Sequence, residues 1–296
     1  MEQQNGITVF FGRALTRIIF ETFIKGGYVA DSLVERPIPG VRIVEPRPMT
    51  REEFERVHDP AYVAAVIAGD PADLAWSNGR GWDEGLFESV AISNGAVRDA
   101  ALEAYRTRGN SGALSSGLHH AKYEHGEGWC TFNGLVAAAL AVLDAGGTRL
   151  LILDLDAHCG GGTAQLIEGR DGIEQVDVSV NRYDWYADTA NARLAIATGA
   201  NYLEVVEREL ARIADPSSID LLIFNAGMDP HERATGAAGI TTEVIAERER
   251  MVYAWAWAHQ IPVAFTLAGG YLSGGATMDE LVDLHRITIA TAAAVN

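Results

Sequence analysis

Leu150-Leu151-Ile152-Leu153-Asp154-Leu155-Asp156-Ala157-His158-Cys159-Gly160-Gly161-Gly162-Thr163 passes, within fourteen residues, from an unbroken aliphatic run to two further carboxylate-bearing steps, an imidazole and three glycines. Four large aliphatic residues with no polar alternation read as a strand buried on both faces, the kind that builds parallel sheets covered by helices. The polar groups that follow mark its carboxyl end, which is where open parallel sheets hold their ligands. Working outward, the same design recurs. Residues 220–224 lead into Asn225-Ala226-Gly227-Met228-Asp229-Pro230-His231, and residues 261–267 lead into Ala268-Gly269-Gly270-Tyr271. Short apolar runs at 7–11, 41–44, 149–155 and 176–180 read as further strands, and the small-residue stretch 113–117 leads into His119-His120.

Helical patterns lie between these runs. Phe132, Leu135, Val136, Ala139, Leu140 and Leu143 fall on one face at 3.6-residue spacing, closed by Gly146-Gly147; Tyr202, Val206, Leu210 and Ile213 mark another, closed by Asp215-Pro216. Asp59-Pro60 offers an N-cap and a first-turn proline for a short helix to residue 68. Thr241 or Thr242 starts a long helix to residue 259, and Met278 starts the last one. Strands alternating with helices predict an α/β fold, a mostly parallel sheet flanked by helices on both faces. The 296 residues are 48% apolar and 21% charged, with no linker-like or single-charge block between the halves. That predicts a single domain over 1–296, burying roughly three quarters of its unfolded surface.

Twenty-three basic against forty acidic residues give a net charge of −17. Such a field repels phosphate backbones and anionic lipid, so no nucleic-acid or membrane partner is expected, while cations are drawn in. The two cysteines, Cys130 and Cys159, are too few for a disulfide framework, and MEQQNGITVF lacks the basic and apolar regions of a signal peptide. No apolar run approaches the roughly 18 residues of a membrane span. The expected compartment is a reducing cytoplasm.

Alternate residues of an extended strand share a side, so Asp154, Asp156 and His158 project together from one strand end. Carboxylate oxygen and imidazole nitrogen suit zinc and neighbouring divalent metals, and a catalytic zinc keeps three protein ligands and an open position. Asp156, His158 and a carboxylate from another strand end, with Asp229 best placed, meet that requirement. The competing reading makes Asp154 a turn cap and His158 a buried structural histidine. His119-His120 offers a base near neutral pH that can afterwards protonate a leaving amine, although adjacent residues point apart and only one can face the reacting atom. Tyr271, after two glycines, can donate to an oxyanion or simply pack a turn. Gly160-Gly161-Gly162 has no Walker lysine, which argues against a nucleotide cradle.

As an ordered set these segments resemble the histone deacetylase family, zinc-dependent amidohydrolases of the arginase/deacetylase fold that include acetylpolyamine amidohydrolases and acetoin-utilisation proteins. Ser116-Gly117-Leu118-His119-His120-Ala121 is similar to the family's histidine-pair loop, Gly128-Trp129-Cys130-Thr131-Phe132-Asn133 to its Gly-Phe-Cys-x-Phe-Asn segment, and residues 154–163 to its metal strand. Residues 225–229, Gly269-Gly270-Tyr271 and the upstream His58-Asp59-Pro60-Ala61-Tyr62-Val63 complete the match. The resemblance implies one zinc held by Asp156, His158 and Asp229, and His119 and His120 beside the water to be activated, with His120 the principal base and acid. It also implies Tyr271 as the polariser of the acyl carbonyl and Gly128 with Trp129 as part of a narrow acyl channel. A potassium ion beneath the metal strand would use Asp154, Ser179 and the backbone near Asp156 and His158. The implied substrate is an acylated amine, either an acyl-lysine or an acylated polyamine.

Four positions depart from that pattern. Gly161 stands where the family commonly has Asp or Asn after His-His-Gly, so His120 is expected to lack its carboxylate partner, to titrate lower and to work slowly unless Glu127 or water substitutes. Cys159 replaces a second histidine, Trp129 a phenylalanine, and Asn181 the histidine of a Ser-x-His segment, which leaves the loop with Tyr183, Trp185 and Tyr186 unaligned. Two other readings remain. An arginase-like ureohydrolase would share Asp156-Ala157-His158, but position 160 is glycine where a second metal needs a carboxylate. A non-catalytic acyl-group or metal-binding protein would keep the pocket after losing support for its base.

Overall fold

The computed structural model describes residues 6–17, 21–116 and 118–296. Residues 1–5 of the amino-terminal stretch and Gly117 of the histidine-pair segment lie outside the described residues. Among those described, β1 (Ile7–Phe10), β2 (Val41–Val44), β3 (Ser111–Ala113), β4 (Leu150–Asp154), β5 (Ile173–Ser179), β6 (Ala192–Ile196), β7 (Leu221–Ala226) and β8 (Val263–Leu267) form one sheet, ordered β2-β1-β3-β8-β7-β4-β5-β6. Every strand pair in it is parallel. The helices are α1 (Glu21–Glu35), α2 (Arg51–Glu55), α3 (Pro60–Ala68), α4 (Ala72–Ala75), α5 (Leu86–Thr107), α6 (Gly134–Asp144), α7 (Gly161–Ile167), α8 (Tyr202–Ala211), α9 (Thr242–Ala258) and α10 (Met278–Ala294).

The two-residue period of a strand divides the aliphatic runs between two cores. Leu150 and Ile152 of β4 and Leu221 and Ile223 of β7 pack with α3, α5, α6 and α7, whereas Leu151, Leu153, Leu222 and Phe224 pack on the other face with α1, α8, α9 and α10. Burial on both faces is why these strands show no polar alternation. Helix starts follow the caps in the sequence: the Asp59 side chain accepts from Ala61 N, that of Asn133 from Val136 N, and Thr277 with Glu280 forms a capping box.

Two strands and two long helices escaped the sequence reading. β3 is Ser-Gly-Ala, which carries no apolar signal, and β6 is a short, half-buried edge strand. α1 contains Gly26-Gly27 and buries Lys25, while α5 buries Ser89, Ser93, Asn94 and Arg98 beside its alanines. Polar residues on the inward face erase the apolar period on which helix recognition depends.

Candidate active site

β3, β8, β7, β4 and β5 stand side by side in the sheet. The segments leaving their carboxyl ends carry, in that order, His119 with His120, Tyr271, Asp229, Asp156 with His158, and the loop 181–186. Level registers, such as Asp154 opposite both Asn225 and Asp177, bring these segments to one height.

Asp156, His158 and Asp229 converge, with one ligand atom of each within 4.8 Å of the others. His158 Nδ1 donates to Asp156 Oδ1 at 3.1 Å and lies 3.1 Å from Asp229 Oδ2. Backbone amides hold the carboxylates in place: Gly269 N–H donates to Asp156 Oδ2 at 2.7 Å and Ala157 N–H to Asp229 Oδ1 at 2.9 Å. Asp229 Oδ2 is buried and accepts no hydrogen bond. A Cβ on residue 269 would sit 2.1 Å from that oxygen and 2.5 Å from Asp156 Oδ2, so only glycine leaves the space between the carboxylates open.

The electrostatics fit a cation in that space. Burial and the neighbouring charge of Asp156 push the Asp229 carboxyl up to about 6. Burial opposes a charged His158, but its hydrogen-bonded and charged carboxylate neighbours prevail and push it up to about 11. Two buried carboxylates facing one imidazole, with one oxygen unpartnered, form an oxygen- and nitrogen-donor set matched to a divalent metal.

The His119 and His120 rings lie with centroids 3.9 Å apart and planes tilted by 41°, but have different partners. His119 Nδ1 pairs with Asp154 Oδ2 at 2.8 Å, and Asp154 Oδ1 accepts from Asn225 Nδ2 at 2.8 Å and from Asp156 N–H at 3.2 Å. Burial disfavours the His119 cation, yet the charges of Asp154 and Asp156 outweigh it and push the imidazole up to about 10. In His120 burial wins, helped by the charge on His119, and its pKa falls to about 4.

The expected lack of a carboxylate beside His120 is corrected by the structure. His120 Nδ1 pairs with Asp184 Oδ2 at 2.9 Å, and Asp184 comes from the loop after β5 that the sequence left unaligned. The substitute considered from sequence, Glu127, instead accepts from the Tyr183 hydroxyl at 3.3 Å and approaches His125 and Lys122. The signal was in the sequence, an empty position at Gly161 and an acidic residue between Tyr183 and Trp185, but only the folded loop joins them.

A cavity of about 870 Å³ is lined by His120, His158, Trp129, Tyr183, Tyr271 and Arg80. Gly128 and Trp129 are the two central residues of a tight turn in which Glu127 and Cys130 exchange backbone hydrogen bonds, with φ of 53° and 65°. That double left-handed geometry drives the Trp129 ring to the cavity, 5.3 Å from Tyr271 and under the Arg80 guanidinium. The Tyr271 phenol is pushed well above its ordinary pKa by burial and by Asp229 and Asp156, so it keeps its proton and remains a donor. Ser179 is buried and donates to Asp177 Oδ1 at 2.6 Å. His58 braces the turn from below, Nδ1 donating to Lys122 O at 2.7 Å and Nε2 accepting from Asn133 N–H at 2.9 Å.

Solved structures share the fold. The structure superposes on the HD domain of HDA15 with a TM-score of 0.82 at 20% identity, covering 98% of this chain and 89% of that one. It superposes on an acetylpolyamine aminohydrolase from Burkholderia pseudomallei with a TM-score of 0.76 at 18% identity, covering 98% and 99%. In sequence it is 27% identical over 237 residues to an uncharacterized protein of Picosynechococcus sp., covering 78% of this chain and 79% of that protein. It is 32% identical over 134 residues to the acetoin utilization protein AcuC of Staphylococcus aureus, covering 41% and 34%, and 24% identical over 209 residues to histone deacetylase 15 of Arabidopsis thaliana, covering 63% and 38%. The profile of the histone deacetylase domain matches residues 21–283, and the chain belongs to the histone deacetylase family.

Proposed function

We propose that the protein is a zinc-dependent amidohydrolase that removes an acetyl or other acyl group from an amine, either an acyl-lysine or an acylated polyamine, and that it acts as a single catalytic domain in a reducing cytoplasm. The observation that carries this is the cluster of Asp156, His158 and Asp229, whose His158 lines a cavity that also presents His120 and Tyr271. A zinc ion bound there supplies Lewis-acid activation of water and of the acyl carbonyl.

The protein's own groups do the rest. Trp129 and Tyr183 admit a slim acyl chain to the cavity and exclude bulk water. The Tyr271 hydroxyl donates to the acyl oxygen as negative charge develops on it. His120 accepts a proton from the attacking water and returns one to the nitrogen as the C–N bond breaks, so the products are a carboxylic acid and a free amine. His119, held by Asp154, places positive charge beside that transfer. The net charge of −17 favours a cationic substrate. Potassium beneath β4 belongs to the same proposal, with Asp154 buried at the end of β4 and Ser179 at the end of the neighbouring β5. The non-catalytic alternative rested on an unsupported base, and the Asp184 contact removes its motive.

Elemental analysis and turnover of an acetyl-lysine peptide and of acetylspermidine test the reading together. One zinc per chain and hydrolysis are expected, with both lost in Asp156→Ala. A fully zinc-loaded Asp156→Ala variant would overturn the ligand set, and zinc-loaded wild type that hydrolyses neither probe would overturn the activity.

A further inference from the structure

We propose that Asp184 is the positioning residue of His120, delivered by the loop that also walls the cavity, and that Gly161 has no side chain because Asp184 occupies its space. The inference rests on the reading of His120 as proton carrier but concerns a residue which that reading does not require.

Three donors surround the Asp184 carboxylate. Oδ2 accepts from His120 Nδ1 at 2.9 Å and from Gly162 N–H at 3.1 Å, and Oδ1 pairs with the Lys122 ammonium. Both oxygens are committed, so the carboxylate cannot rotate without losing a partner. Its hydrogen bonds from His120 and Lys122 hold it below the usual carboxylate range against the cost of burial. An acceptor-only group at Nδ1 dictates the tautomer: the proton sits on Nδ1, and Nε2 is left bare to accept one from water.

Two further observations show the fit is built. A Cβ on residue 161 would lie 2.3 Å from Asp184 Oδ1 and 2.4 Å from Asp184 O, both inside contact distance, so any side chain at 161 evicts Asp184. Asp184 itself has φ of 57°, the left-handed region that a residue other than glycine enters at a cost and keeps where its surroundings demand it. Tyr183, the preceding residue, packs edge-on against His120 with centroids 5.0 Å apart, so one short loop sets both the cavity wall and the orientation of the base.

Full-length protein labelled with ring-¹⁵N histidine, zinc-loaded and zinc-free, provides the test. Wild-type His120 is expected as the Nδ1–H tautomer with that proton protected from exchange. A bare Nδ1 in the wild type overturns the proposal without any variant. In Asp184→Ala no acceptor faces His120 Nδ1, so the Nδ1–H protection is expected to vanish. Gly161→Ala, which leaves Asp184 in the sequence but not in its place, is expected to give the same change. For turnover, Asp184→Asn should lower kcat by roughly 10- to 100-fold with KM and zinc content held, and should add nothing in a His120→Ala background. Unchanged His120 resonances in a folded Asp184→Ala variant, or a loss of kcat that persists in full without His120, would assign Asp184 to loop structure alone. If the wild type hydrolyses no acylated amine, the proposed activity fails while the tautomer still decides the role of Asp184.

Discussion

The adjacent side chains of His119 and His120 face different carboxylates. His119 meets Asp154 from β4 and His120 meets Asp184 from the loop after β5. Tyr271 contributes a hydroxyl to the cavity, and Tyr271→Phe removes that donor while keeping the ring against Trp129. Loss of one oxyanion donor costs about 10²- to 10³-fold in turnover. The expected result is a fall of that size in kcat with zinc retained, measured by steady-state kinetics beside metal analysis; an unchanged kcat would leave the phenol a packing role. His58 supplies a second expectation that needs no substrate. Burial lowers its pKa from 6.5 to about 4 while the backbone oxygens around it oppose the drop. Between those values the unfolded chain binds the proton that the folded chain refuses. Its contribution is therefore full above pH 6.5 and is lost as pH falls, by about 2 kcal/mol at pH 5. Urea unfolding at pH 7 and pH 5 should show the stability gap between wild type and His58→Gln narrowing by that amount, and a constant gap would refute it.

Strand ends and the loops leaving them form the next level. The proposed metal donors come from the segments after β4 and β7, and the Gly269 backbone after β8 fits between their carboxylates. Gly269→Ala would place a methyl within 2.1 Å of Asp229 Oδ2, filling the metal space rather than removing a ligand. Zinc affinity is expected to drop by about 10- to 100-fold or more with the fold intact, a size typical of disturbed outer contacts. Competition with a chromophoric chelator, with circular dichroism as the folding control, measures it; wild-type affinity would mean the loop shifts freely. Carboxylate supply belongs to this level too. An aspartate at position 161 would collide with the loop that already carries Asp184, so Gly161→Asp is expected to slow turnover rather than supply a missing partner to His120.

For the whole molecule, a bound metal ties two strand ends together across the centre of the sheet. Zinc at a hundred times its dissociation constant should stabilise the native state by about 2.7 kcal/mol, or roughly 4 °C in Tm for a chain of this size. Calorimetry with zinc and with chelator checks this, and the increment should be absent in Asp156→Ala. It should also shrink as pH falls, because His158, pushed up to about 11 by Asp156 and Asp229 against its burial, must release its proton for the metal. No helix among the described residues is long and apolar enough to cross a membrane. The sequence by itself determined the parallel sheet, because strands such as 150–154 and 221–226, buried on both faces, must be aliphatic throughout and so announce themselves. It also singled out Asp156, His158, Asp229 and the histidine pair as candidates, because strand-end position is a local property. It did not show β3, β6, α1 or α5, whose small or polar inward residues carry no period. Only the tertiary structure decided which carboxylate orients His120. Gly161 and Asp184 lie 23 positions apart, and their complementarity is one of shape, an absent side chain beside a present one, visible only once the loop after β5 folds back over α7.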